Sequence, residues 1–329
     1  MSKPQQRTQR PATGDGGRGR AADKPTEIPA KGWKDVAYRV KEEVKEDNVG
    51  LLAAGVAFFA LLALFPALTA AVSIYGLVAD PQTVQSQIQS LTETLPADAA
   101  SLIGGQLEAV ASSAGGALTF GFVTSLLAAL WTASSGMQGL IKGVNAAYDE
   151  PDGRSFVKRR GLALLLTIGG IIFFGVAIAV IAVLPALLDG LGLGRVGQVL
   201  ILVLRWPLLA ALIAVALAVV YRYAPDRDEP RWAWVSAGAA IATVLWVVGS
   251  IAFSIYVNNF GSYNETYGAI GAVIILLLWL FLSSFVVLVG AEVNAETEHQ
   301  TAQDTTKGPR EPLGQRDAYA ADTIGEAKD

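Results

Sequence analysis

The chain has no cysteine and a single histidine, His299. Disulfide frameworks, thiolate zinc sites and cysteine nucleophiles are excluded by the first absence. Histidine pairs for acid–base work and multi-histidine metal centres are excluded by the second. Charge is also scarce, at 16% of the 329 residues. A soluble domain carries roughly 25%. No Gly-Lys-Ser/Thr phosphate loop and no dinucleotide glycine fingerprint occurs, so the sequence offers no motif for nucleotide-driven chemistry. No metal, cofactor or nucleic-acid site is expected.

What the chain has is apolar length. Hydrophobic residues make up 52% of it, and the mean hydropathy is +0.43. Six continuous apolar stretches, approximately 50–79, 117–141, 161–187, 197–221, 232–257 and 267–292, are each long enough to cross a hydrocarbon core, which takes about 20 helical residues. Only helices and closed barrels satisfy their own backbone in lipid. These runs do not alternate, so they predict helices. The expected fold is all-α, with a six-helix membrane domain over 48–296. Pro66, Pro207 and the trio Gly169, Gly170 and Gly175 mark expected kinks or close helix contacts.

Segments flank this domain. Residues 1–30 are poor in large apolar side chains and carry net charge +3, and 297–329 carry −3. Both are expected to be disordered, because little apolar surface is there to offset ordering. Residues 31–47 place Trp33, Val36, Val40 and Val44 on one helical face, with lysines and Arg39 on the other. This predicts an amphipathic helix, lying in the membrane interface with Trp33 as its anchor or packed on the inner face of the bundle. In 80–116, Val84, Ile88, Leu91 and Leu95, then Leu102, Ile103, Leu107 and Val110, predict two short helices in an outer loop.

Orientation follows from charge. In a six-helix arrangement, 23 of the 25 Lys/Arg fall on one side. The positive-inside rule makes that side cytoplasmic, with both termini in.

Polar groups inside apolar helices are the best pointers to a site, since each costs roughly 2.5–3.5 kcal/mol at the bilayer centre. Arg205 lies about eight residues into the fourth stretch, on the order of 12 Å from its outer end. It is a candidate contact for a lipid phosphate or carboxylate, or an arginine that snorkels. Asn145, Arg222 and Glu292 lie at inner helix ends, and a Glu292–Arg222 pair is expected to remove two buried charges at once. Ser134 either bonds its own backbone or lines a cavity. Together Arg205, Asn145, Ser134, Arg222 and Glu292 are the candidate substrate-binding residues.

Four motifs in order carry a resemblance. They are Ala53-Ala54-Gly55-Val56-Ala57-Phe58-Phe59 running to Phe65-Pro66 and Tyr75-Gly76, then Leu130-Trp131-Thr132-Ala133-Ser134-Ser135-Gly136-Met137 leading to Asn145-Ala146-Ala147-Tyr148-Asp149. Tyr221-Arg222-Tyr223-Ala224-Pro225 follows, and Tyr263-Asn264-Glu265-Thr266-Tyr267-Gly268 leads to Leu278-Trp279-Leu280 and Gly290-Ala291-Glu292-Val293-Asn294-Ala295. Over about residues 33–298 the chain resembles the YihY/BrkB family of bacterial inner-membrane proteins. The resemblance implies six membrane helices and cytoplasmic termini. Members have carried a ribonuclease label, have been linked to serum resistance, and are called transporters or candidate lipid flippases. The nuclease label fits these residues poorly. Asp149, Glu150 and Asp152 are the densest acidic group near a motif, and they share a short loop with Arg154. The expected function is movement of an amphiphilic or anionic solute such as a lipid, with membrane lipids as partners and no catalysis. The alternative is a non-transporting scaffold for envelope assembly.

Overall fold

The computed structural model describes residues 17–78, 120–190, 194–259 and 269–328. The two expected outer-loop helices of 80–116 lie outside the described residues. A short helix, α1 (Ala30–Glu46), leads into six long ones. These are α2 (Val49–Val78), α3 (Phe120–Ala147), α4 (Phe156–Gly190), α5 (Gly194–Tyr223), α6 (Trp232–Asn259) and α7 (Ala269–Glu298). A one-turn helix, α8, spans Tyr319–Asp322. Each expected apolar stretch falls on one long helix, and among the described residues no strand forms. Among the described residues four spans are long and apolar enough to cross a membrane: Phe156–Ile181, Val203–Tyr223, Trp232–Val257 and Val273–Glu298. The bent pair Ala30–Glu46 and Val49–Leu64 raises the number to five if it is one span. Six long helices are present, and by this measure the described residues supply four or five of the expected six spans.

The long helices pack in chain order, and the ring closes where α7 lies on α2. Helix α7 also touches α3 and α1. The bundle is inverted relative to a soluble protein. Helix α4 presents Leu165, Ile172, Phe174 and Ile178 outward, as suits a surface facing hydrocarbon. Buried polar residues gather instead at the end that carries α1 and the C-terminal segment, hereafter the capped end.

Small residues bring backbones together, as is common between membrane helices. A methyl added at Gly238 on α6 would collide with the carbonyl of Gly290 on α7, and one at Gly290 would meet Tyr221 and Ala242. The expected trio does not act this way: Gly169, Gly170 and Gly175 face open space. Pro66 and Pro207 both lie inside helices.

Residues 17–29 and 299–328 of the two flanking segments are placed against the helices. Helix α1 lies on α7 and α2 rather than standing apart, and Trp33 packs with Ala22, Ile28 and Trp234. The C-terminal segment folds over α1 and the ends of α3, α5 and α7. Few apolar side chains order it. Arginines do, by donating to carbonyl oxygens. Arg316 reaches Ala321 at 2.6 Å, Ala302 at 3.0 Å and Glu311 at 3.1 Å. Arg20 reaches Gly325 at 2.6 Å, while Ala302 N–H donates to Arg20 O at 2.8 Å. Arg18 pairs with Asp35 at 2.6 Å. The backbone groups that composition leaves unsatisfied thus find partners, which an apolar-content argument does not register.

Candidate functional site

The five candidate residues do not converge. Ser134 is buried, and its hydroxyl donates to Trp131 O on its own helix at 2.8 Å. That is the backbone-bonding alternative. Asn145 is a brace: its Nδ2 donates to Ile141 O at 2.9 Å, and its Oδ1 accepts from Asp226 N–H at 2.8 Å. It ties the end of α3 to the connection between α5 and α6. Arg222 is held by the same connection. It meets Glu229 at 2.9 Å, donates to Pro230 O, and lies 4.6 Å from the centre of the Trp232 ring.

The expected Glu292–Arg222 pair is not formed. Arg222 finds its carboxylate seven residues on, at Glu229, because the chain turns back immediately after α5. Glu292 lies on α7, the helix against which α1 packs. It is 1% exposed, and its Oε1 has no hydrogen-bond partner.

Arg205 is remote from all of these. It lies eleven residues after Gly194, the first residue of α5, about 16 Å along the helix at 1.5 Å per residue. That is further from the helix start than the sequence alone suggested. Its guanidinium lies 5.3 Å from the centre of the Trp206 ring. Among the described residues it has no carboxylate partner.

The capped end holds groups that the sequence did not single out. Arg39 donates to the Glu296 carboxylate and to Gln300 Oε1 at 2.9 Å, and His299 Nδ1 stands 2.9 Å from the other Glu296 oxygen. Arg227 and Glu298 are paired with both side chains buried. Glu43, Asp47 and Asp149 lie near enough to Glu292 for their charges to act on it. Burial pushes the Glu43 carboxyl up to about 7 and that of Asp47 to about 6, and neighbouring carboxylates add to both. Burial likewise raises Asp149 and Glu150. The one available signal was the spacing of Glu43 and Asp47, which puts two acids on one helical face. That pattern on a charged helix reads as solvated surface.

Two of the three acids in the loop after α3 are occupied. Asp152 pairs with Arg154 at 3.0 Å and Arg159 at 3.2 Å, and Glu150 accepts from Tyr319 N–H at 2.7 Å. Among the described residues no group of three or more His, Asp and Glu is arranged to hold a metal ion.

Comparison with known proteins places this architecture. The model of the virulence factor BrkB family matches residues 40–314. A ribonuclease-like protein of Bacillus subtilis, YfkH, is 31% identical over 253 residues, covering 74% of this chain and 87% of its own. A UPF0761 membrane protein of Vibrio vulnificus is 28% identical over 263 residues, covering 78% of this chain and 81% of its own. No solved structure matches the chain. With a family match that takes in all six long helices and the start of the C-terminal segment, the chain belongs to the BrkB family and is an integral membrane protein.

Proposed function

We propose that the protein moves an anionic amphiphile, with a phospholipid as the leading case, across or along its helical bundle. One observation carries the reading. Arg205 is a cation within the apolar α5, its contact is an aromatic ring, and no carboxylate answers it among the described residues. A charge so placed needs water, an acid or an anionic ligand. A lipid phosphate meets that need, and the exposed Trp206 ring beside it suits acyl chains. In this reading six helices cross a bacterial inner membrane and both termini are cytoplasmic, in keeping with the side on which 23 of the 25 Lys/Arg fall. No catalysis is involved. The ribonuclease-like name of the Bacillus subtilis relative is not carried over.

The test is reconstitution of the purified protein in liposomes with a labelled anionic phospholipid. Arg205→Gln keeps a polar side chain and removes the charge. Loss of transbilayer exchange with an unchanged thermal midpoint supports the reading. Full-rate exchange in the variant overturns the role of Arg205. Absence of exchange in the unaltered protein favours a scaffold for envelope assembly, which the capped end also suits. There both chain segments are knitted into one folded surface.

A further inference from the structure

The chain turns through 63° where α1 gives way to α2. Asn48 makes the turn with φ of 52°, a left-handed conformation that asparagine adopts more readily than most residues. With α2 crossing a membrane, α1 lies nearer the membrane plane than its normal. One side of α1 is taken up by packing on α7 and α2: Gly32, Asp35, Val36 and Arg39 are buried there, and Val40 and Val44 are half-buried. The other side carries Lys31, Lys34, Tyr38, Lys41 and Lys45, all exposed. Spacings of three and four residues hold these five within an arc of about 80°, at about 100° per residue. The stripe is about 21 Å long at 1.5 Å per residue.

Its charge is not answered within the chain. Lys24, Lys307 and Lys328 find carboxylates, but among the described residues no ion pair reaches Lys31, Lys34, Lys41 or Lys45. Two acids of α1 are drawn off instead. Asp35 turns inward to Arg18 at 2.6 Å, and Lys328 of the C-terminal segment holds Glu42 at 2.6 Å. Tyr38 sits within the stripe, its ring centre 5.7 Å from the Lys34 ammonium. Tyrosine suits the boundary between headgroups and hydrocarbon. Just past the elbow Leu51 is 75% exposed, and with Phe58 and Leu62 it forms an outward apolar row on α2. The basic stripe therefore stands next to a surface that faces hydrocarbon.

We propose that this face of α1 docks on the headgroups of anionic phospholipids in the leaflet at the capped end. The lysine ammonium groups meet headgroup phosphates, while their stems and Tyr38 cover the apolar edge beneath. Charge complementarity selects an anionic surface, and the neighbouring Leu51 row selects a membrane over a soluble acidic chain. The docking is separate from Arg205 on α5 and stands whether or not the protein moves a lipid.

The absence of native cysteine allows the test in the full chain. A nitroxide on a cysteine at Ala37, exposed beside the stripe, is followed in nanodiscs through its collisions with a neutral, water-soluble nickel chelate and with oxygen. Replacing phosphatidylcholine by phosphatidylglycerol should shield the label from the chelate and open it to oxygen, and added salt should reverse the change. The ratio of docked to free α1 should fall about fivefold for each of Lys31→Gln, Lys34→Gln, Lys41→Gln and Lys45→Gln. All four lysines are exposed, so each single variant should stay folded and can be read alone. A label equally accessible in the two lipids overturns the docking, as does shielding that survives removal of all four lysines. Shielding by soluble polyphosphate in phosphatidylcholine nanodiscs, with none from phosphatidylglycerol, assigns the face to a soluble polyanion and overturns it as well.

Discussion

Arg227 and Glu298 meet as a two-pronged ion pair, 2.7 Å and 3.2 Å between nitrogens and oxygens, with both side chains withdrawn from solvent. The arginine comes from the connection between α5 and α6, and the glutamate ends α7. Thr305 adds a hydroxyl to the same carboxylate, so the C-terminal segment is anchored to the pair. Removing one partner strands a buried charge, at a cost of about 3–5 kcal/mol. Glu298→Gln is therefore expected to lower the thermal midpoint and to expose 299–328 to limited proteolysis. A tail as resistant as in the unaltered protein would refute the anchoring.

Glycine marks where α6 and α7 touch. Gly238→Ala forces a methyl onto the Gly290 carbonyl, a backbone group that cannot swing aside. Overpacking of this kind costs about 1–3 kcal/mol. The yield of monodisperse protein should fall. Gly169→Ala meets nothing within 4 Å and should be neutral, or stabilising by up to about 1 kcal/mol through helix propensity. Equal effects of the two would contradict the packing.

Arg222 and Glu292 should behave as strangers. Swapping their charges together is expected to give the sum of the single losses. Arg222 should instead couple to Glu229. That pair contributes little, no more than about 1 kcal/mol, because Glu229 is 40% exposed. Arg222→Met should cost more than Glu229→Gln, since Pro230 O also loses its donor. Rescue of either single variant by the Glu292 swap would sink this assignment.

Stability should depend on pH through the acids of the capped end. The Glu43 carboxyl is raised from 4.5 to about 7 in the folded protein. Between those values the folded state holds more protons than the unfolded one, so stability is full below the lower value and is lost as pH rises through the upper. The thermal midpoint should fall as pH increases from about 5 to about 8, and Glu43→Gln should flatten the slope. A midpoint that rises across that window in the unaltered protein would be the wrong sign.

Orientation is checked with single cysteines at Ser112 and Lys307. An impermeant thiol reagent applied to intact cells should label the first and spare the second. Equal labelling of both would overturn the arrangement argued from basic residues.

The sequence by itself determined the membrane class, the all-α fold and the family. Hydrocarbon allows few solutions, and each long apolar run announces one of them without reference to its neighbours. It also picked out Arg205, Arg222 and Glu292 as polar residues in costly places, because that cost depends on local context alone. The partners were another matter. Glu229 rather than Glu292 holds Arg222, and Arg39 on a charged helix is bound to Glu296. Each pairing depends on how two connections fold back, and nothing in residue spacing encodes that. The order of 299–328 was equally hidden. It rests on arginines donating to distant carbonyl oxygens, and a carbonyl is offered by every residue alike, so only the tertiary structure decides which ones are met.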